Sequence, residues 1–384
     1  MGLDVNDNNV NINLNDNIDN NGSALEWPIL LQGLFPMSQS QSLDPSLIPI
    51  SFIVDKHRRL SEPFYTSAPP HYILMAPKLR HVLGAEQFDR ELLEDIFKDV
   101  EFMQRVTKMG RLNTLSGKIM ACLFYEPSTR TRFSFEAAMR RLGGNVLTTE
   151  NAQEFSSAAK GESLADTIRI VSGYADVIVM RHKEEGSSAL AAKYSSVPII
   201  NAGDGMGEHP TQALLDLFTI KQKLGTIDGI SVALVGDLKH GRTVHSLAHL
   251  LAKFKNVKIY LVAPKVCPMK PEVTDWLKTQ GVELVETDDL NAVLPLVDCV
   301  YMTRVQKERF ASMEEYEQAK GKLVLTPQNV RLMKGKSIIM HPLPRLDEIH
   351  PDVDNNPRAV YFQQAQNGLF VRMALLRNLL ENGN

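Results

Sequence analysis

Several absences in this 384-residue chain narrow its function before any motif is read. Cysteine is scarce. Cys122, Cys267 and Cys299 lie far apart, so no disulfide framework and no cysteine-rich zinc module is available, and a reducing compartment is expected. No apolar run approaches the roughly 20 residues that a membrane span requires, and no membrane partner is expected. The net charge of -3 leaves no broad basic surface, so no nucleic-acid partner is expected either. Lys and Arg are missing altogether from residues 1–55, which carry -7, while the remainder carries +4. Transit peptides are Arg-rich and poor in acid. The N-terminus is the reverse, and the expectation is a cytoplasmic protein, organellar import not being excluded. Residues 1–22 hold nine Asn and four Asp. Such a segment buries too little apolar surface to offset chain ordering, so 1–65 is expected to be a disordered or irregular extension.

What is present begins near Tyr72, where strand-like and helix-like runs alternate. Strands are expected at Lys118–Phe124, Asp176–Met180 and Val197–Asn201, with helices after Ser128 and over Pro210–Leu224. A second series runs through Ile230–Val235, a helix from Arg242 to Phe254, Val257–Val262, a helix over Pro271–Gln280, Cys299–Met302 and Ser337–Met340. Such alternation implies parallel sheets with right-handed crossovers. The expected fold is therefore α/β: two lobes, each a parallel sheet flanked by helices, with the active site in the cleft between them. The first lobe is expected over 70–212, completed by a C-terminal helix at 365–382, and the second over 225–355.

Polar residues gather where strands end. Ser128-Thr129-Arg130-Thr131-Arg132 sits between a strand and a helix. Free backbone N–H groups, hydroxyls and a guanidinium there make an anion cradle. The plainer reading is a capped helix with solvated arginines. The segment from Asn201 to Gln212 has three glycines and ends in His209-Pro210-Thr211-Gln212, so His209 and Gln212 are aimed at one point from a helix start. After Val235, the glycine spacing is wrong for a pyrophosphate loop. Arg242 at the next helix start instead suits a carboxylate. His245 and His249 mimic a metal pair, but no Glu lies between them and no third ligand is evident, so no metal is expected. Arg304 and Gln306 follow another strand end, whereas Lys307 to Arg309 reads as a solvated charge run. His341-Pro342-Leu343-Pro344-Arg345 offers carbonyls freed by two prolines, one X-Pro bond of which is a candidate for the cis form. Arg130, Arg181, Arg242, Arg304 and Lys160 thus stand at or near strand ends without an activated nucleophile. Such a set suits two anionic substrates that react with each other, catalysed by positioning and electrostatics.

The run Phe124-Tyr125-Glu126-Pro127-Ser128-Thr129-Arg130-Thr131-Arg132-Phe133-Ser134-Phe135-Glu136 resembles the signature of the aspartate and ornithine carbamoyltransferases. His209-Pro210-Thr211-Gln212 is similar to that family's second signature, and the likeness runs from about Tyr72 to the C-terminus. The ornithine branch carries a His-Cys-Leu-Pro loop and a Ser-Met-Gly loop. Here His341-Pro342-Leu343-Pro344 stands and no Ser-Met-Gly occurs, so the resemblance is to the aspartate branch. It implies carbamoyl transfer from carbamoyl phosphate to the α-amine of L-aspartate in pyrimidine synthesis, without a cofactor. By the same likeness Ser128, Thr129, Arg130, Thr131 and Arg181 hold the phosphate. Arg130, Thr131 and His209 polarise the carbamoyl oxygen. Gln212 and the carbonyls near Leu343 and Pro344 take the NH2 group. Arg242, Arg304 and Gln306, together with Lys160, grip aspartate. Ser156 and Lys160 match residues lent to a neighbouring subunit's site, which implies a homotrimer with shared sites. The family loop is altered at Ala158-Ala159, and His240 is expected to pack rather than react. No effector domain is evident, so any control falls to a separate regulatory chain, which is not indicated, or to competition at the site.

Overall fold

Apolar runs too short for core helices, such as Ile119–Phe124 and Ser231–Val235, are buried on both faces and form the central strands of two parallel sheets. The computed structural model describes residues 79–110, 112–152 and 160–381, so the expectation of a disordered 1–65 lies outside the described residues. The described residues fall within one compact unit, Tyr72–Asn384.

The first sheet contains β1 (Ile119–Phe124), β2 (Asn145–Glu150), β3 (Val177–His182) and β4 (Ile199–Asp204), in the order β2-β1-β3-β4. The second contains β5 (Ser231–Val235), β6 (Lys258–Val262), β7 (Glu283–Thr287), β8 (Cys299–Met302) and β9 (Ile338–Met340), in the order β7-β6-β5-β8-β9. All named pairs are parallel. The same device starts both sheets. Asp176, just before β3, accepts from the Ile119 amide at 2.8 Å and pairs with Lys118. Asp298, just before β8, accepts from the Ser231 amide at 2.9 Å and pairs with Lys334. Each carboxylate fixes where its neighbour strand begins and thereby the register of the sheet.

Helices cover the sheets. In the first lobe they are α1 (Arg90–Val106), α2 (Thr129–Arg141), α3 (Leu164–Val171), α4 (Ser187–Tyr194) and α5 (Pro210–Leu224). In the second they are α6 (Arg242–Leu251), α7 (Pro271–Thr279), α8 (Leu290–Val293) and α9 (Met313–Ala319). The last helix, α10 (Tyr361–Glu381), returns to pack on α1, α2 and α5. Between the lobes α5 packs on α6, and apolar residues such as Leu214, Leu217, Leu247 and Leu250 share one core across that seam. None of the described helices is long and apolar enough to cross a membrane.

The strands β2 and β7 were not expected. Both are sheet edges without a fully buried residue, Asn145-Val146-Leu147-Thr148-Thr149-Glu150 largely exposed and Glu283-Leu284-Val285-Glu286-Thr287 half-buried. Their polar sequences lack the apolar run that burial imposes on a central strand.

Candidate functional site

Open α/β sheets bind ligands where strands end and helices begin, and here the ends of β1, β3, β4, β5, β8 and β9 converge on one cleft of about 560 Å³. Ser128, Thr129, Arg130, Thr131, Arg181, His209, Gln212, Arg242, Arg304, Gln306, Leu343 and Pro344 all line it.

The anion cradle forms at the start of α2. Ser128 stands at the N-cap with extended backbone, but its side chain makes no capping bond. Capping alone therefore does not account for the hydroxyls, and the first-turn N–H groups stay open to a ligand. Arg130 makes no hydrogen bond or ion pair with another described residue, and burial and the neighbouring Arg181 lower its pKa. Arg181 donates to Glu126 at 2.6 Å, and its buried Nε has no partner. Two close guanidiniums, one without an ion-pair partner, favour a multiply charged anion such as phosphate.

The β4–α5 loop brings the second lobe to this cradle. Gly203 has φ 117°, and a Cβ there would sit 3.0 Å from the Arg242 guanidinium and 3.4 Å from Arg181 Nη1. Absence of a side chain lets both arginines lie over the backbone. Arg242 also donates to the Gly205 carbonyl at 2.6 Å and lies 3.7 Å from Glu126. Burial, then repulsion from Arg181, brings its pKa down to about 10. His209 caps α5 with its amide donating to Ser246 at 3.1 Å. Its ring is 4% exposed, and the buried Nδ1 has no partner. Burial, then Arg242, Arg181 and Arg372, hold the imidazole well below the usual histidine range. The ring is therefore uncharged near neutral pH and able to donate through one nitrogen.

On the second-lobe side, Arg304 pairs with Glu308 at 2.5 Å. The charge run from Lys307 to Arg309 is not a wholly solvated face, contrary to the sequence reading. A short 3-10 turn over Lys307–Arg309 folds it back, so Glu308 and Arg309 line the cleft and Arg309 reaches the Gly205 carbonyl at 3.4 Å. The Leu343-Pro344 bond is cis, and Leu343 holds φ 55°, a region that non-glycine residues seldom occupy. His341 fixes this segment. Its Nδ1 accepts from the Leu343 amide at 2.7 Å, which leaves Nε2 to donate to Glu348 at 2.7 Å.

Sequence reasoning assigned no role to Glu126, Gln364 or Arg372, all of which line the cleft. Gln364 and Arg372 are, with Asn367, buried polar residues on the mostly apolar face of α10, and that mismatch was the available signal. Behind the cleft, Asp216 is wholly buried and accepts from Gln212 at 2.8 Å, Gln364 at 2.6 Å and Tyr301 at 2.6 Å. Burial pushes its carboxyl up to about 7 despite these donors and Arg372.

Lys160 is exposed and does not line the cleft of its own chain; the expectation lends it to the site of a neighbouring subunit. Its partner in that expectation, Ser156, and the Ala158-Ala159 stretch lie outside the described residues. His240 packs, its ring edge-on to Phe310 at 5.0 Å and its Nδ1 3.1 Å from Asp237. His249 stacks on Trp276 at 4.1 Å, and His245 bonds the Leu238 carbonyl at 2.7 Å. Among the described residues no cluster of three His, Cys, Asp or Glu side chains could hold a metal. Burial brings His245 down to about 4. The unfolded chain therefore binds the proton first, and this contribution, full above pH 6.5, is lost as pH falls towards 4. Relative to His245→Gln, the wild type is expected to lose about 2 kcal/mol between pH 7 and pH 5, read from urea midpoints. Parallel pH dependences in the two proteins would refute it.

Six arginines and two glutamates line a cleft that joins two parallel α/β lobes. This arrangement defines a group-transfer enzyme whose two substrates are both anions. Models of the aspartate/ornithine carbamoyltransferase carbamoyl-P binding domain and Asp/Orn binding domain match residues 80–222 and 228–379, and the chain belongs to this family. It is 59% identical over 305 residues to the chloroplastic aspartate carbamoyltransferase of Arabidopsis thaliana, covering 79% of this chain and 78% of that one. The aspartate carbamoyltransferase catalytic subunit of Methanocaldococcus jannaschii is 49% identical over 79% of this chain and 99% of its own. The solved aspartate transcarbamoylase of Trypanosoma cruzi, in complex with carbamoyl aspartate and phosphate, matches with TM-score 0.76. It is 45% identical, with 79% of this chain and 97% of that one covered.

The relatives correct one expectation. Five plant enzymes, 54% to 59% identical, are named chloroplastic, which points to a plastid and not to the cytoplasm. The cytoplasmic reading rested on the composition of the first residues, which lie before both family matches.

Proposed function

We propose that this chain is an aspartate carbamoyltransferase, moving the carbamoyl group of carbamoyl phosphate to the α-amine of L-aspartate in pyrimidine synthesis. The observation that carries this reading is the charge of the cleft. Its lining arginines exceed its glutamates by four, and both glutamates already face arginines, which suits a phosphate and a dicarboxylate and repels the side-chain ammonium of ornithine. Residues 70–212 with the C-terminal helix form the carbamoyl-phosphate-binding lobe, and 225–355 the aspartate-binding lobe. The α2 start (Ser128, Thr129, Arg130, Thr131) and Arg181 hold the phosphate. Gln212 and the Leu343 and Pro344 carbonyls accept from the carbamoyl NH2. Arg242, Arg304 and Gln306 take the aspartate carboxylates.

The neutral amine of aspartate attacks the carbamoyl carbon. Arg130, Thr131 and the neutral His209 donate to the oxygen as it becomes an oxyanion. The C–O bond to phosphate then breaks, and the departing phosphate accepts the amine proton, so no protein base is required. Ser156 and Lys160 complete the site of a neighbouring subunit in a homotrimer. The position of Lys160 outside its own cleft supports this reading.

Incubation with carbamoyl phosphate and either aspartate or ornithine tests the assignment. Carbamoyl-aspartate is the expected product and carbamoyl-ornithine is not. Absence of both products would favour a silent scaffold, and product with ornithine would move the chain to the other branch.

A further inference from the structure

Asp216 is a buried carboxylate that the transfer chemistry does not use, yet it joins three parts of the molecule. Gln212 reaches it from the same helix, Gln364 from α10 and Tyr301 from the second lobe. Each of these neighbours presents a hydrogen, and the Arg372 guanidinium adds positive charge nearby. All three bonds use the carboxylate oxygens as acceptors, which fits the ionised form, the form that prevails above about pH 7.

That restriction passes to the cleft. The Gln212 amide has a donor end and an acceptor end, and Asp216 Oδ1 accepts from Nε2. The Gln212 Oε1 is therefore the end left for the cleft, where Gln212 is a lining residue. Gln364 is held in the same way. Its Nε2 donates to Asp216 and its Oε1 accepts from the His341 amide at 2.8 Å, so the carboxylate also anchors the segment that presents the Leu343 and Pro344 carbonyls. Gln212 thus shows the cleft an acceptor, and Gln364 holds the segment whose Leu343 and Pro344 line it.

We infer that Asp216 is a positioning residue: by holding the NH2 end of Gln212 it turns the Gln212 carbonyl into the cleft, and so selects an acyl phosphate bearing NH2 over one bearing a methyl group. This inference deepens the proposed function and rests on it. A site lined with acceptors leaves them unpaired when a methyl group takes the place of NH2, and discrimination by such unpaired groups is large. With alanine at 216 no acceptor faces the NH2 end of Gln212, and the amide is free to turn that end to the ligand.

The experiment compares carbamoyl phosphate with acetyl phosphate, aspartate being the acceptor in both cases. Each reaction breaks the acyl C–O bond, forms a C–N bond to the amine and releases phosphate and a proton. Where acetyl transfer is too slow to follow, the inhibition constant of acetyl phosphate against carbamoyl phosphate replaces kcat/KM. Asp216→Ala is expected to lower the carbamoyl-to-acetyl ratio at least about tenfold, almost wholly on the carbamoyl side, whereas Asp216→Asn, which keeps an acceptor oxygen for both glutamines, is expected to retain it. Tyr301→Phe, which disturbs the same buried cluster but leaves the bond to Gln212, is expected to keep the wild-type ratio. Should Asp216→Ala not fold, Asp216→Ser serves the same comparison. A folded Asp216→Ala or Asp216→Ser variant that loses both activities equally, with the ratio unchanged, would overturn the inference. A wild type that makes no carbamoyl-aspartate would instead sink the proposed function.

Discussion

Arg130→Ala is expected to lower kcat by about three orders of magnitude while the protein folds normally. A donor aimed at a developing oxyanion contributes roughly 3–4 kcal/mol, and Arg130 stands where both the phosphate and the carbamoyl oxygen lie in the proposed reaction. Its fold contribution is small, because no hydrogen bond or ion pair to another described residue holds it at the start of α2. Circular dichroism and the melting temperature should therefore match the wild type. The loss is expected in kcat, since the interaction strengthens as charge develops. Near-wild-type turnover would remove Arg130 from the chemistry.

Arg242→Ala is expected to act differently. Its guanidinium is nearly buried and stands between Glu126, the Gly205 carbonyl and the space assigned to aspartate. Glu126 Oε2 already lacks a hydrogen-bond partner, and removal of the nearby charge leaves it further exposed to repulsion from the second substrate. Loss of one member of such a desolvated charge set costs roughly 2–5 kcal/mol, so kcat/KM for aspartate should fall about a thousandfold. Carbamoyl phosphate, held chiefly by the first lobe, should bind with nearly unchanged affinity in the absence of aspartate, as measured by calorimetry. Equal loss of affinity for both ligands would show that Arg242 organises the cleft as a whole and does not select aspartate.

The elements legible in the sequence were those that burial or a breaker residue stamps on it. Cys299–Met302 and Pro210–Leu224 stand where they were expected, the first because both faces are buried, the second because Pro210 opens the helix and Gly225 ends it. The site was legible for a related reason. Strand-to-helix junctions are recognisable, and a hydroxyl or guanidinium there has little structural work to do. The return of the C-terminal helix to the first lobe was legible, but the polar residues that it and a reversing turn carry to the cleft were not. Gln364 and Arg372 approach the cleft only because α10 crosses back to the first lobe, and Glu308 and Arg309 only because a 3-10 turn reverses the chain. The 3-10 turn has no local signature strong enough to compete with the ordinary reading of a charged run as solvated.

The return of α10 has a consequence for how the chain reaches its native state. The first lobe begins before the second in chain order, yet its core lacks α10 until residues 361–381 have been made. On the ribosome the second lobe can close while the first still shows apolar surface on α1, α2 and α5. The early half of the molecule is therefore the last to mature, and it gains Gln364 and Arg372 in the same event that seals its core. A nascent chain can be long enough to hold every signature residue and still have no working site.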